Sequence, residues 1–350
     1  MASAPVFLSH IASQGHDTGA HPESAARIQA VESTLRACGW CGYSTVSSPP
    51  VSRAELERVH QAAHIDRIAR AVQAGGAQLD PDTVVSSGSL EAALHACGGA
   101  VELARRLVAG GSGQVGFSAH RPPGHHATAN RAMGFCLFNN VAVAARHALA
   151  ELGLERVLVL DWDVHHGNGT SEIFWETDAV LLVSIHQSPL YPGSGAAYEL
   201  GSGRGYGYTI NLPVPAGAGD ETFVSLVRDV AVPLARSYRP QLVLVSAGYD
   251  AHADDPLADC RVSDAGFGAM AALVRDLGHE LGVPVGGVLE GGYAVDALAR
   301  CVALTMQTLA AAPASPDALL ATLAVHPLAL EAQERLSELW PGVATVAREP

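Results

Sequence analysis

The chain has no lysine: all 21 of its basic residues are arginine. That absence removes several mechanisms. No P-loop lysine can reach a nucleotide phosphate, no lysine can form a Schiff base with pyridoxal phosphate or a carbonyl substrate, and no Ser-Lys dyad is available. Positive charge as a whole is outnumbered, 21 basic against 35 acidic residues, for a formal charge of −14. Such a chain is poorly suited to gripping phosphates, so no direct nucleic-acid partner is expected. No run of eighteen apolar residues occurs, and the N-terminus lacks a basic segment leading into an apolar one. Neither membrane spanning nor secretion is expected. The six cysteines are dispersed over 350 residues, which is not a disulfide framework and fits reduced thiols in a cytoplasm. Cys38-Gly39-Trp40-Cys41 has redox or zinc spacing, but no second pair accompanies it and no βαβ pattern precedes it.

The length allows a substantial core, and no composition break or linker divides it, so residues 1–350 read as a single domain. A short polar segment over 7–27 reads as capping the helical pattern of 24–38. Helical spacing returns over 53–75, and 79–83 reads as a loop before another helix running to 107. Beyond 110 the texture changes. Short apolar runs at 114–119, 156–160, 180–186, 207–211, 242–247 and 284–289 read as strands. Helical windows at 139–152, 220–238 and 263–281 separate them, and 294–311 follows the last. Fully apolar strands alternating with helices predict an α/β fold, a mainly parallel sheet with helices on both faces. In such sheets ligands bind beyond the carboxyl ends of the strands. Five of these six ends carry His, Asp or Tyr beside glycines, which points to an active site there.

The richest end is Asp161-Trp162-Asp163-Val164-His165-His166-Gly167-Asn168-Gly169, after the apolar run Val157–Leu160. In extended backbone Asp161, Asp163 and His165 project to one side and Trp162 and Val164 to the other. Unpaired buried carboxylates cost several kcal/mol each, so a cation or a set of donors must sit among them, and a divalent metal is the simplest such cation. Asp163 and His165 supply two ligands and Asp250, from another strand end, the third, with Asp254 and Asp255 as competitors. Three protein ligands leave a position open, as in catalytic zinc sites, although the set also suits iron(II) or cobalt. His125-His126, after a Pro-Pro-Gly turn, supplies acid and base, with Asp161 and Asn168 available to orient the two rings. Tyr293, after Gly291-Gly292, can donate to an oxyanion, and the glycines leave room for substrate.

Arg121-Pro122-Pro123-Gly124-His125-His126, Gly134-Phe135-Cys136, Asp161 through Thr170, Gly248-Tyr249-Asp250 and Glu290-Gly291-Gly292-Tyr293 together resemble the zinc-dependent histone deacetylase superfamily. The likeness is to class II enzymes and bacterial histone deacetylase-like amidohydrolases, in order from about His16 to Leu309. It implies the arginase/deacetylase-like α/β architecture and deacetylation of N-acetyl-lysine. Asp163, His165 and Asp250 would be zinc ligands, His125 and His126 the acid/base pair, and Tyr293 the transition-state donor. Gly134, Phe135, Tyr191 and Gly292 would line the acyl-lysine channel, Asp82 would hold substrate backbone at its rim, and Arg27 would belong to an internal channel through which acetate leaves. Potassium would bind at Asp161, Asp163, His165 and Ser184, and again around Phe174, Thr177, Val180 and Tyr208.

Three positions refine the resemblance. Asn168 stands where class I members have Asp, which leaves His126 without a carboxylate partner. Leu257 stands where a polyamine-deacetylating member has Glu, which disfavours acetylpolyamines without excluding them or other small acetylated amines. Tyr293 is kept where some class II enzymes have His. An arginase-like ureohydrolase would need further Asp and His ligands for a second metal, and a non-catalytic acyl-ligand scaffold usually lacks one of the residues present here. The expected partner is an acetylated lysine peptide or protein, or a small acetylated amine, with homo-oligomerisation left open.

Overall fold

Every residue of the run Val157–Leu160 is buried, which requires cover on both faces and places it in the middle of a sheet. Alternation divides it: Leu158 and Leu160 join an apolar cluster on one face, Val157 and Val159 a second cluster on the other. The computed structural model describes residues 4–313 and 323–343. Its strands are β1 (Val6–Ser9), β2 (Ser44–Ser47), β3 (Ala77–Asp80), β4 (Thr83–Val85), β5 (Val115–Ser118), β6 (Val157–Asp161), β7 (Val180–Gln187), β8 (Thr209–Val214), β9 (Leu242–Ala247) and β10 (Val285–Leu289). Eight form one sheet in the order β2-β1-β5-β10-β9-β6-β7-β8, and every pairing in it is parallel.

This order decides where the chemistry can gather. β9 and β10 insert between β5 and β6, so β5, β10, β9 and β6 are contiguous although their ends lie far apart in sequence. The His125-His126 turn, Glu290–Tyr293, Asp250 and the Asp161 block therefore emerge side by side. Helices Ala25–Ala37, Asp264–Leu281 and Val295–Ala310 pack together, as do Ser89–Gly110 and Asn140–Glu151. Among the described residues no helix is long and apolar enough to cross a membrane.

The structure departs from the sequence reading at five places. The polar first segment holds β1, and β2, Ser-Thr-Val-Ser, is a polar edge strand that carries no apolar signal. The loop expected at 79–83 is the turn of an antiparallel hairpin, β3 with β4. The helix expected over 53–75 is two, Arg53–Leu56 and Ala62–Gln73. The break lets His60 turn inward, where Nδ1 lies 2.9 Å from the Thr128 carbonyl and Nε2 accepts from Asn139 N. Within 220–238 a wide turn, Val227–Ala231, precedes Pro233. Pro233 has no N–H for the Asp229 carbonyl, and Gln333 Nε2 donates to it instead at 2.7 Å.

Candidate active site

At the end of β6 the side chains divide as expected. Trp162 and Val164 are buried in the apolar cluster, which turns Asp161, Asp163 and His165 the other way. Asp250, beyond β9, joins them: ligand atoms of Asp163, His165 and Asp250 all lie within 4.8 Å of one another, and all three residues are buried. His165 Nδ1 is 3.2 Å from Asp163 Oδ1 and 3.1 Å from Asp250 Oδ2. Backbone amides hold the carboxylates from behind: Gly291 N donates to Asp163 Oδ2 at 2.8 Å and Val164 N to Asp250 Oδ1 at 2.9 Å. A Cβ on Gly291 would collide with Asp250 Oδ2 and Asp163 Oδ2, so only glycine fits there.

The electrostatics show what this cluster demands. Burial alone would push His165 down, but its contacts with Asp163 and Asp250 prevail and raise it to about 10. Burial, then the neighbouring Asp163 charge, pushes Asp250 up. Two carboxylates aimed at one point thus force a positive charge onto the imidazole between them. A divalent cation satisfies the same demand, and two carboxylates with one imidazole are a suitable donor set for it. The residues present fit a catalytic metal.

The two histidines stand beside this cluster with different partners. His125 Nδ1 lies 3.0 Å from Asp161 Oδ2, and His126 Nδ1 lies 2.8 Å from Asn168 Oδ1. Burial disfavours charge on both rings. For His125, Asp163 and Asp161 outweigh burial and hold it well above the ordinary histidine value. For His126, burial and the adjacent imidazoles His125 and His165 keep it well below. Environments that drive adjacent titrating groups apart are those expected of an acid and a base. Glu290, quoted in its motif but given no role by the sequence reading, fixes the turn: its Oε2 accepts from Gly124 N at 2.6 Å and His125 N at 3.0 Å. Burial raises Glu290 to about 7, against the opposing pull of His125.

Tyr293 is held through its backbone. Asp255 Oδ2 accepts from Tyr293 N at 2.6 Å and Ala294 N at 3.0 Å, while Oδ1 accepts from Leu257 N at 3.0 Å. Asp255, expected to compete for the metal, is thus occupied with amides, and Asp254 is exposed, 3.8 Å from Arg300. The Tyr293 ring lies under the Arg27 guanidinium, 5.0 Å away, and edge-on to Phe135 at 5.6 Å. Arg27 donates to Gly292 O at 2.7 Å and Glu290 O at 2.5 Å. Behind it lies a fully buried network that sequence reasoning missed. Glu23 pairs with Arg121 Nε at 2.5 Å and Arg27 Nη1 at 3.1 Å, and His16 Nε2 stands 3.6 Å from its Oε2. Of the polar residues read as helix caps, His16 and Glu23 belong to this network, and Ser24 at the N-cap makes no side-chain capping bond.

The remaining expected positions divide between the surroundings of the cluster and the far end of β7. Gly134 and Phe135 have φ of 55° and 67°, and a Cβ on Gly134 would strike the His126 ring. Asp82 Oδ1 accepts from Gly134 N at 3.2 Å, which sets the carboxylate beside the Phe135 turn. Tyr191 stands edge-on to His126 at 5.1 Å and is 37% exposed, so it forms part of the rim. Leu257 is half-buried. Asp161 and Ser184 are register partners across β6 and β7, and Ser184 Oγ is 2.9 Å from His186 Nδ1. Phe174 ends the helix Asn168–Phe174 and Val180 opens β7 beside Val157, at the other end of β6 from Asp161; Thr177 lies between them, its N bonded to Phe174 O at 3.2 Å. Tyr208 O accepts from Leu182 N at 2.9 Å.

The histone deacetylase domain profile matches residues 21–309. The chain is 40% identical over 276 residues to a histone deacetylase-like amidohydrolase of Pseudomonas aeruginosa, covering 78% of this chain and 72% of that one. It is 38% identical over 289 residues to a probable deacetylase of Methanothermobacter thermautotrophicus, covering 81% and 84%. The crystal structure of the HDA15 HD domain superposes with a TM-score of 0.88 at 33% identity, covering 98% of this chain and 97% of that one. The chain therefore belongs to the histone deacetylase family of hydrolytic deacetylases.

Proposed function

We propose that the chain is one catalytic domain, a zinc-dependent deacylase that removes acetyl groups from N-acetyl-lysine in peptides or proteins. The observation that carries this reading is the meeting of Asp163, His165 and Asp250 within 4.8 Å, beside the His125-His126 pair. Asp163, His165 and Asp250 would hold the zinc, which when bound polarises an amide carbonyl and lowers the pKa of water from about 16 to about 7.

The chain's own residues divide the remaining work. His125, held by Asp161, keeps a proton within the site, and His126, kept neutral beside Asn168, accepts one. The Tyr293 hydroxyl donates to the developing oxyanion, an interaction of about 3 kcal/mol. Asp255 fixes that tyrosine's backbone. Phe135 and Tyr191 flank the alkyl chain, with Gly134 and Gly292 leaving it space, and Asp82 bonds substrate backbone at the rim. Leu257 puts no carboxylate there for a polyamine's cation, which supports acetyl-lysine over acetylpolyamines. Potassium at Asp161, Asp163, His165 and Ser184, and at Phe174, Thr177, Val180 and Tyr208, belongs to the same reading, as does acetate release past Arg27. Free cysteines support a reducing, cytoplasmic setting.

The test is turnover of a fluorogenic acetyl-lysine peptide. Chelation and Tyr293→Phe should each abolish it, and unchanged activity in either case would refute the proposal.

A further inference from the structure

The Cys38-Gly39-Trp40-Cys41 segment takes no part in the hydrolytic site, yet its conformation is unusual. Helix Ala25–Ala37 ends at Cys38, and the next four residues all have positive φ: 63° at Gly39, 57° at Trp40, 51° at Cys41 and 80° at Gly42. Left-handed backbone is strained for Trp40 and Cys41, because their Cβ atoms crowd the following carbonyl. Packing holds them there. The Trp40 ring lies 5.4 Å from Phe7 and under the Arg36 guanidinium at 5.5 Å. Cys41 Sγ reaches the Ala303 carbonyl at 3.9 Å, and Tyr43 OH donates to Met306 O at 2.9 Å.

This turn brings the two sulfur atoms to 2.8 Å, with Cys38 exposed and Cys41 half-buried behind it. Two thiolates on one zinc, with bonds of about 2.3 Å at tetrahedral angles, would stand about 3.7 Å apart. Among the described residues neither cysteine belongs to a three-membered group of metal-binding side chains. The separation is shorter than a zinc site needs, and only a small movement takes it to a covalent bond.

We propose that Cys38 and Cys41 form a redox site, an exposed dithiol that a peroxide converts reversibly into an intramolecular disulfide, separate from the hydrolytic centre. The Cys38 thiolate attacks the peroxide, the O–O bond breaks, and hydroxide leaves with a sulfenic acid on Cys38. The Cys41 sulfur then attacks the Cys38 sulfur, the S–O bond breaks, and water leaves. In sum two thiols lose two electrons and two protons, and the peroxide becomes two waters. Burial, then the adjacent Cys38 sulfur, pushes the Cys41 thiol up to about 12, so the exposed Cys38 is the sulfur that meets the peroxide and Cys41 the one that resolves it. The other four cysteines are buried and serve as internal controls.

The test exposes the full-length, metal-loaded protein to hydrogen peroxide, alkylates the remaining thiols after denaturation, and maps them by mass spectrometry. The expected result is loss of two thiols out of six, at Cys38 and Cys41 joined in one peptide, with both restored by dithiothreitol. Cys38→Ser should then retain all its thiols under the same exposure, and Cys41→Ala should accumulate a sulfenic acid at Cys38 that dimedone traps. Prior oxidation of a buried cysteine, or Cys38 advancing to sulfinic acid while Cys41 stays free, would overturn the proposal. The readout is chemical and stands whether or not the deacylase reading holds.

Discussion

Glu23→Gln probes the buried network behind the site with almost no change of shape. In the native chain the Glu23 carboxylate takes Arg121 Nε at 2.5 Å and Nη2 at 2.7 Å, and Arg27 Nη1 at 3.1 Å, with every partner excluded from solvent. Burial alone would raise its pKa, but Arg121 and then Arg27 outweigh it and hold it at about 2 rather than 4.5. At about 1.4 kcal/mol per tenfold change in proton affinity, that depression corresponds to about 3 kcal/mol. Removing one partner of a buried ion pair costs about 3–5 kcal/mol, because the guanidinium groups remain buried and unpaired. Urea denaturation of metal-loaded protein at pH 7 should show a loss in this range for Glu23→Gln. A folded-state pKa below the unfolded one gives stability that is complete above about 4.5 and disappears as pH falls toward 2. The native protein should lose this contribution over that window, and the variant should show a flatter acid dependence there. A loss below about 1 kcal/mol would mean that water or another group replaces the carboxylate, and the reasoning would fail.

Other perturbations address the site itself. Asn168→Asp places a carboxylate on His126, whose pKa burial and its imidazole neighbours now depress; the acidic limb of the kcat/KM profile should move up by roughly one to three pH units. An unmoved profile would remove His126 from the titrating groups. Asp255→Ala deletes the acceptor for the Tyr293 and Ala294 amides, so kcat should fall by about 10²-fold through misplacement of the tyrosine while zinc stoichiometry is retained. Loss of zinc instead would make Asp255 a ligand. Gly291→Ala drives a methyl group into Asp163 and Asp250, and equilibrium dialysis should show about 10–100-fold weaker zinc binding. Unchanged affinity would contradict the observed packing.

How far the sequence revealed this structure depended on whether a residue's neighbours were local. Val157–Leu160 announces a central strand because both its faces are buried, and Trp162 and Val164 reveal the facing of Asp163 and His165 through simple alternation. β2 does not announce itself, since Ser-Thr-Val-Ser at a sheet edge buries little and resembles a loop. Among the described residues the β3–β4 hairpin pairs only with itself. Asp255 was misread because residue type alone does not distinguish a carboxylate that meets a metal from one that meets amides. Glu23 and Arg121 stand 98 positions apart, and their pairing emerges only when helix Ala25–Ala37 docks beside the turn after β5. His60 breaks its helix for the same kind of reason, a partner at Asn139 that no local pattern contains.

The central claim is that one metal, held by Asp163, His165 and Asp250, supports hydrolysis of an acyl-lysine amide. Metal-stripped protein can be titrated with zinc while acetate release from an N-acetyl-lysine peptide is followed. Activity should start near zero, rise in proportion to added zinc, and level off at one zinc per chain. Turnover by the stripped protein, or a plateau only at two metals per chain, would contradict it.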